Sequence, residues 1–447
     1  MFGHRYRQLC RGALLLTLFL TLLFNGSVSP PYKNLSGSLT VVLVLLCWPI
    51  PVTDPEIRRL RNASLVILGF AALWVLVQSL PLPLWAPVHP VWREVAPVLD
   101  LETGAISVAP ARTRMALPGL ILPGLVFVST LTLCQSIPAA KRVWTALALL
   151  GVALVALAIL LEVAFPKAHF FTTYEVGYGS FSGFLVNRNT AASFFGLAAF
   201  ALAGAAMMPQ RSHRSPIRMT PRVVLLWLAV FATMIAVIAT RSRAGTLLSL
   251  PLLTLCLAIA YAQASRHRRG VTRGLTILGV GLVVLVLFGE PMFSRLGNAG
   301  QDYRWCAWAN TLAALRDHPW LGTGFGSFVD VFPAYRDPAC LGTEGTWTRA
   351  HNSFLELALG LGLPATGLIL GASYRILLSC CFTGVRRRRS LRAIPLLTLG
   401  ALVFVSAHSL VDFPLQIPGV ALYCAALLGT GCALSVLDRQ WRGSSSR

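Results

Sequence analysis

Five short stretches of this 447-residue sequence combine residue types able to do chemistry. His351-Asn352-Ser353-Phe354-Leu355-Glu356 places a histidine just ahead of a Ser-x-x-Glu capping box, so His351 precedes a helix N-terminus. The positive end of that helix disfavours an imidazolium, and a neutral ring there can take a proton from a hydroxyl. A histidine of a surface loop is the structural alternative. Thr240-Arg241-Ser242-Arg243-Ala244-Gly245 holds two arginines in a turn too short to carry them far from the apolar runs on either side. Guanidinium groups at such depth either face a phosphate, a carboxylate or a wet cavity, or snorkel to lipid headgroups. Asn187-Arg188-Asn189 opens another apolar run, where asparagine caps a helix and free N–H groups beside Arg188 suit an anion. Arg304, with Trp305 and Trp308, is either part of an interfacial aromatic belt or a cation beside rings on which sugars stack. His408 and Asp412, four residues apart, lie on one side of a helix and either orient one another or cap its end.

Other chemistries lack their signatures. No HExxH, paired-cysteine motif or Asp-x-Asp pair is present, so neither metal nor cofactor is expected. The run Leu321-Gly322-Thr323-Gly324-Phe325-Gly326-Ser327-Phe328 has no strand–turn–helix around it and reads as tight turns rather than a nucleotide fingerprint.

The elements that must position these residues are written in the composition. Hydrophobic residues make up 55% of the chain, charged residues 12%, and the mean hydropathy is +0.69. A soluble protein carries about twice that share of charge. Apolar runs recur at about 12–25, 35–52, 63–80, 116–137, 143–165, 187–208, 222–240, 244–263, 271–290, 352–380, 392–411 and 417–437. These predict an all-α polytopic membrane protein of about twelve transmembrane helices, 1–447 forming a single integral membrane domain. The basic start before Ala13–Phe24 also looks like a signal peptide, but no small-x-small cleavage pattern follows clearly, and it is read as an uncleaved first span.

With Met1 inside, 24 of the 38 Lys and Arg residues fall on the cytoplasmic side, 13 fall outside and Arg375 lies within a span. The net charge of +22 is therefore a topology signal and not a nucleic-acid footprint. Both termini are expected in the cytoplasm, and the one sizeable loop, 291–351, between spans nine and ten, faces outward. Smaller outer loops are 81–115 and 166–186. Cys306 and Cys340 share the long loop, where an oxidising compartment would allow a disulfide. A twelve-helix secondary transporter is the competing class, but such proteins divide into repeats with charges near mid-membrane. Here no repeat is visible, and the distinctive Arg and His residues collect at outer span ends.

Taken in order, Asn187-Arg188-Asn189, Ser242-Arg243-Ala244-Gly245, Arg304 with Trp308, Leu321–Phe328, and His351–Leu357 followed by Gly362 resemble the O-antigen ligase/polymerase superfamily. The motifs span about 180–370; the N-terminal spans match in hydropathy alone. The resemblance implies a GT-C-like fold and a bacterial inner-membrane glycosyltransferase acting without metal at the periplasmic face. It implies a polyprenyl-diphosphate-linked glycan donor and a glycan or lipid A-core acceptor, and hence O-antigen ligase or polysaccharide polymerase activity. Carried over by motif, His351 is the base that activates the acceptor hydroxyl. Arg243 and Arg304 hold the diphosphate, with Arg241 and Arg188 beside them. Asn187, Asn189, His408 and Asp412 are supporting neighbours. Trp305, Trp308, Trp320 and Trp347 are available for sugar stacking.

Overall fold

In hydrocarbon a chain must satisfy its backbone polar groups internally, and runs of Leu, Ala and Val with few charges do so here as helices. The computed structural model describes residues 3–165, 181–208, 220–264, 276, 279, 304–338, 347–387 and 391–437. Its helices are α1 (His4–Leu23), α2 (Pro30–Cys47), α3 (Pro55–Gln78), α4 (Pro90–Leu99), α5 (Pro110–Leu133), α6 (Ile137–Ala164), α7 (Arg188–Met207), α8 (Pro221–Ala239) and α9 (Arg243–Ala264). They continue with α10 (Arg304–Asp317), α11 (Phe328–Val331), α12 (Ser353–Leu361), α13 (Leu363–Arg387), α14 (Ala393–Ser409) and α15 (Pro418–Val436). Leu82–Pro83 pairs antiparallel with Thr103–Gly104 as a two-residue ribbon. Among the described residues nine helices are long and apolar enough to cross a membrane, namely α1, α3, α5 to α9, α13 and α15; α14 is a shorter apolar helix. The protein is an all-α polytopic membrane protein. The expected span 271–290 lies outside the described residues, apart from Thr276 and Gly279.

Proline opens six helices, Pro30, Pro55, Pro90, Pro110, Pro221 and Pro418 each standing at the first helical position, and those from Pro30, Pro55 and Pro110 begin several residues before their apolar runs. Proline lacks the N–H that would be unpaired there, and its fixed φ suits the first turn.

α7 and α15 are almost wholly buried and form the centre of the bundle. Around α7 stand α6, α8, α9 and α14; around α15 stand α1, α5, α6, α13 and α14. α7 is rich in Ala and Gly, which lets neighbouring backbones close in, as membrane packing requires. At Gly204 the Trp144 indole occupies the space a side chain would need, and its Nε1 donates to Ala201 O at 2.8 Å.

The run expected as one span over 352–380 is two helices. Gly362 breaks it with φ +80° and ψ 158°, and a side chain there would run into the Trp320 carbonyl. The carbonyls released at the end of α12 are met from elsewhere. Leu359 O accepts from Thr323 N at 2.9 Å, Gly360 O from Gly324 N at 3.0 Å, and Leu361 O from Trp74 Nε1 at 2.9 Å. Gln78, at the end of α3, donates to both Leu321 O (2.7 Å) and Gly360 O (2.8 Å) and accepts from Phe325 N at 3.2 Å. The Gly-rich run is thus a clamp that fastens a broken helix to α3. Its tight-turn reading holds, with Gly324 at φ +100°.

Connections sort by end. At one end Gly26 faces Leu185 and Ile417, Ser107 N donates to Gln78 O, and Val108 N donates to Thr323 O. At the other end Gln135 holds Pro51 and Thr53, and Tyr6 holds Leu46.

Candidate active site

Asp412, in the turn between α14 and α15, is the point on which the site converges. Its carboxylate is buried, and its side chain is 5% exposed. Oδ1 accepts from Phe413 N at 2.9 Å and lies 3.5 Å from His351 Nδ1; Oδ2 lies 3.9 Å from Arg304 Nη2 and accepts a short hydrogen bond from Asn189 Nδ2. Burial alone would push this carboxyl up. The nearby His351 Nδ1 and the positive Arg304 outweigh it and leave Asp412 below the usual carboxylate range.

Each partner is held by its own element. Asn189, in the first turn of α7, spends its whole amide: Nδ2 goes to Asp412 and Oδ1 accepts from Ser242 Oγ at 2.8 Å. Ser242 is in turn the cap of α9, accepting from Gly245 N at 3.2 Å. Arg304 opens α10, and its Nη1 donates to Val411 O at 2.8 Å, so the guanidinium is fixed across the same turn that carries Asp412. Ser353 Oγ donates to Asp412 O at 3.3 Å and ties α12 to that turn.

His351 stands two residues before α12 in the left-handed region, at φ +54°, where a non-glycine residue costs about 1–3 kcal/mol. The surroundings account for it. Trp308 Nε1 donates to His351 O at 3.3 Å, and the ring meets Phe413 edge-on at 4.8 Å and Trp347 at 5.6 Å. Nδ1 is buried, and 3.5 Å to Asp412 is an ion-pair distance rather than a completed hydrogen bond. A proton on Nδ1 facing the carboxylate leaves Nε2 with the lone pair, the arrangement a general base needs.

The capping expectation at this helix needs correction. The cap is Asn352, whose Oδ1 accepts from Phe354 N and Leu355 N, and not Ser353. Glu356 instead reaches back past the cap, accepting from Ala350 N at 2.8 Å and pairing with Arg349 at 3.0 Å. It fixes the strained segment that carries His351.

His408 meets Asp412 through the backbone, Asp412 N donating to His408 O at 3.0 Å, and not through its ring. It is fully buried on α14, with Nδ1 2.9 Å from Ser193 Oγ. Ser193 gives its own proton to Asn189 O at 2.9 Å, so His408 Nδ1 is the donor. His408 supports α7 directly beneath Asn189. Asn187 caps α7, its Oδ1 accepting from Thr190 N at 2.9 Å. Arg188 and Arg243 are half-buried at the first positions of α7 and α9, beside Asn189 and Ser242. Arg304 likewise begins α10. A cation at a helix start opposes the helix dipole, so three of them at neighbouring starts make a strongly positive rim. Arg241 is exposed at φ +56° with no polar partner among the described residues. Cys306 is disulfide-bonded and the eight other described cysteines are free; Cys340 lies outside the described residues.

A family model, O-antigen ligase, matches residues 227–370. The match supports a place in the O-antigen ligase/polymerase superfamily. No curated protein matches it. The O-antigen ligase match contains Arg241, Arg243, Arg304 and His351, whereas Asn189, His408 and Asp412 lie outside it and join the cluster through the fold. The match suggests, in general terms, glycan transfer at the periplasmic face by a membrane-embedded glycosyltransferase-like enzyme.

The central place of Asp412 was only half legible. One sign was available: in a chain with only 16 acidic residues, an Asp at the end of an apolar run is costly unless it has partners. Gln78 gave no such signal, since its partners lie more than 240 residues away.

Proposed function

We propose that this protein transfers a glycan from a polyprenyl-diphosphate carrier to an acceptor hydroxyl at the periplasmic face of the bacterial inner membrane, as an O-antigen ligase or a polysaccharide polymerase. The observation that carries this reading is the single carboxylate, Asp412, facing the base His351 and the cation Arg304 together. His351 Nε2 takes the proton of the acceptor hydroxyl as its oxygen bonds to the anomeric carbon of the donor. The bond from that carbon to the phosphate oxygen breaks, and its electron pair leaves with the diphosphate. Arg304, Arg243 and Arg188, with Arg241 at the rim, receive the growing charge, each charge-assisted hydrogen bond contributing about 1.5–3 kcal/mol. Fixed guanidinium groups supply this stabilisation without a metal. Asp412 holds the imidazolium formed on His351 until its proton returns to water. Two orienting contacts on a buried carboxylate are characteristic of positioned acid–base chemistry rather than of a passage for solute. We assign both termini to the cytoplasm, twelve spans in a GT-C-like arrangement, and Cys340 as the partner of Cys306.

The test is transfer in proteoliposomes from a lipid-diphosphate-linked glycan. His351→Ala is expected to abolish transfer while donor binding persists, and Arg243→Ala to weaken donor binding. Full activity of either variant refutes that residue's role. Deletion in cells separates the two activities: long polymer stranded on the carrier marks a ligase, and accumulated single units mark a polymerase.

A further inference from the structure

Fourteen residues of α10 separate Arg304 from a second group of polar side chains, a distance of about 20 Å along the helix. There the 79–109 connection and the start of the Gly-rich clamp enclose a cavity of about 180 Å³. His89, Asp317, His318 and Trp320 line it, with Ile106 and Leu321 as apolar wall. The two imidazoles stack at 4.4 Å with 29° between their planes. His89 Nδ1 accepts from Val91 N at 3.3 Å, so the ring proton is on Nε2, and that N–H is buried with no partner among the described residues. Tyr335 donates to Asp317 Oδ2 at 2.8 Å and leaves the other carboxylate oxygen for a further donor. The Trp320 indole is 72% exposed.

A pair of stacked imidazoles, a carboxylate and an open indole face in one small cavity match a neutral sugar ring. A ring hydroxyl donates to Asp317, and the C–H face of the ring lies on Trp320. None of these residues belongs to the Asp412 cluster. Between the two sites the exposed side of α10 presents Trp305, Ala309, Leu312 and Arg316 in one helical row. The geometry points to a distal glycan subsite: the cavity beside His89 and His318 holds a sugar ring of the same glycan whose end is processed at Asp412. This rests on the glycan-transfer reading above. Because the two sites are about 20 Å apart, only a glycan several sugars long fills both. The distal subsite therefore makes the protein favour long glycans over short ones.

The experiment uses the full chain in nanodiscs. The probe is glycan released by mild acid from the host cell's own lipid-linked pool and sized into single-unit and multi-unit fractions. Saturation-transfer NMR and titration calorimetry report contact and affinity for wild type, Trp320→Ala and Asp317→Asn. The expected result is multi-unit binding weakened about tenfold in Trp320→Ala and in Asp317→Asn. Single-unit binding should be the same in all three. Trp320 is exposed, so Trp320→Ala should keep the wild-type thermal midpoint, and Asp317→Asn gives an independent second reading. The subsite is overturned if multi-unit glycan binds both variants as tightly as wild type, or if it binds none of the three. Failure of the transfer reading shows separately, as wild-type protein that transfers nothing from a lipid-diphosphate donor.

Discussion

Asp412→Asn is the sharpest perturbation of the proposed mechanism because it changes charge and proton direction but hardly changes shape. In the native site Asp412 Oδ1 lies 3.5 Å from His351 Nδ1. As the acceptor's proton arrives, His351 becomes an imidazolium, and at an effective dielectric of about 20 its attraction to the carboxylate is about 5 kcal/mol. His351 is 29% exposed and Asp412 is shared with Arg304, so roughly 2–4 kcal/mol remains as stabilisation specific to the transition state. That amounts to a rate loss of about 30- to 1000-fold. The tautomer acts in the same direction. The carboxamide introduced by Asp412→Asn, presenting its oxygen to Asn189, turns its NH2 towards His351 Nδ1, which then accepts, leaving the proton on Nε2 where the base is needed. The assay is single-turnover transfer from a lipid-diphosphate-linked glycan, with donor affinity measured separately and thermal midpoint as the folding control. Turnover should fall within that range with donor affinity changed by less than about threefold. A folded variant that turns over at the wild-type rate, or that loses donor binding instead, refutes the orienting role of Asp412.

Gln78→Leu removes three hydrogen bonds between α3, the Gly-rich clamp and the end of α12, leaving Leu321 O and Phe325 N without that partner while Gly360 O keeps Gly324 N. At about 1 kcal/mol each, its cost of roughly 3 kcal/mol should appear as a lower thermal midpoint and faster proteolysis in 318–363. Gly362→Ala forces a side chain into the Trp320 carbonyl at positive φ, so membrane yield should collapse; normal yield would mean that the break between α12 and α13 is not fixed by that residue. The pH dependence has a definite sign. Burial, and then the neighbouring His318, lower His89 to about 4, and burial lowers His318 in the same direction. Below about pH 6.5 the unfolded chain therefore binds protons that the folded histidine pair refuses, and stability falls as pH drops from about 6.5 towards 4. Asp412 acts only below that window, because its lowered carboxyl loses its contribution as pH falls through the folded value. His89→Asn keeps a side-chain cap for Val91 N and should flatten the decline in thermal midpoint; an unchanged slope would exclude His89 as its source.

How much of this was legible without coordinates follows from the range of each interaction. Hydropathy, proline and the sidedness of arginine are local, and they suffice for an all-α membrane protein with its distinctive cations at one set of span ends. The run over 352–380 shows where local reading stops. Gly362 with Pro364 two residues on is a local stop signal that the apolar length of the run masked, but the donors from Trp74, Gln78, Thr323 and Gly324 that meet the released carbonyls are not written locally. Ser353 and Glu356 fitted a capping box, yet Glu356 was drawn back to Arg349 and Ala350, and Asn352 took the cap.

The sequence by itself determined the class of molecule, the residue types at the site and His351 as the histidine poised before a helix. Apolar length, charge and capping chemistry act over a few residues. Only the tertiary structure decided that Asp412 stands between His351 and Arg304, and that Asn189 links it to Ser242. The same holds for the placing of the His408 ring on Ser193 rather than on Asp412. A carboxylate buried in this bundle must find its donors wherever the packing of α7, α9, α10 and α12 brings them. Those helices lie far apart in the chain, so no spacing along it records the meeting.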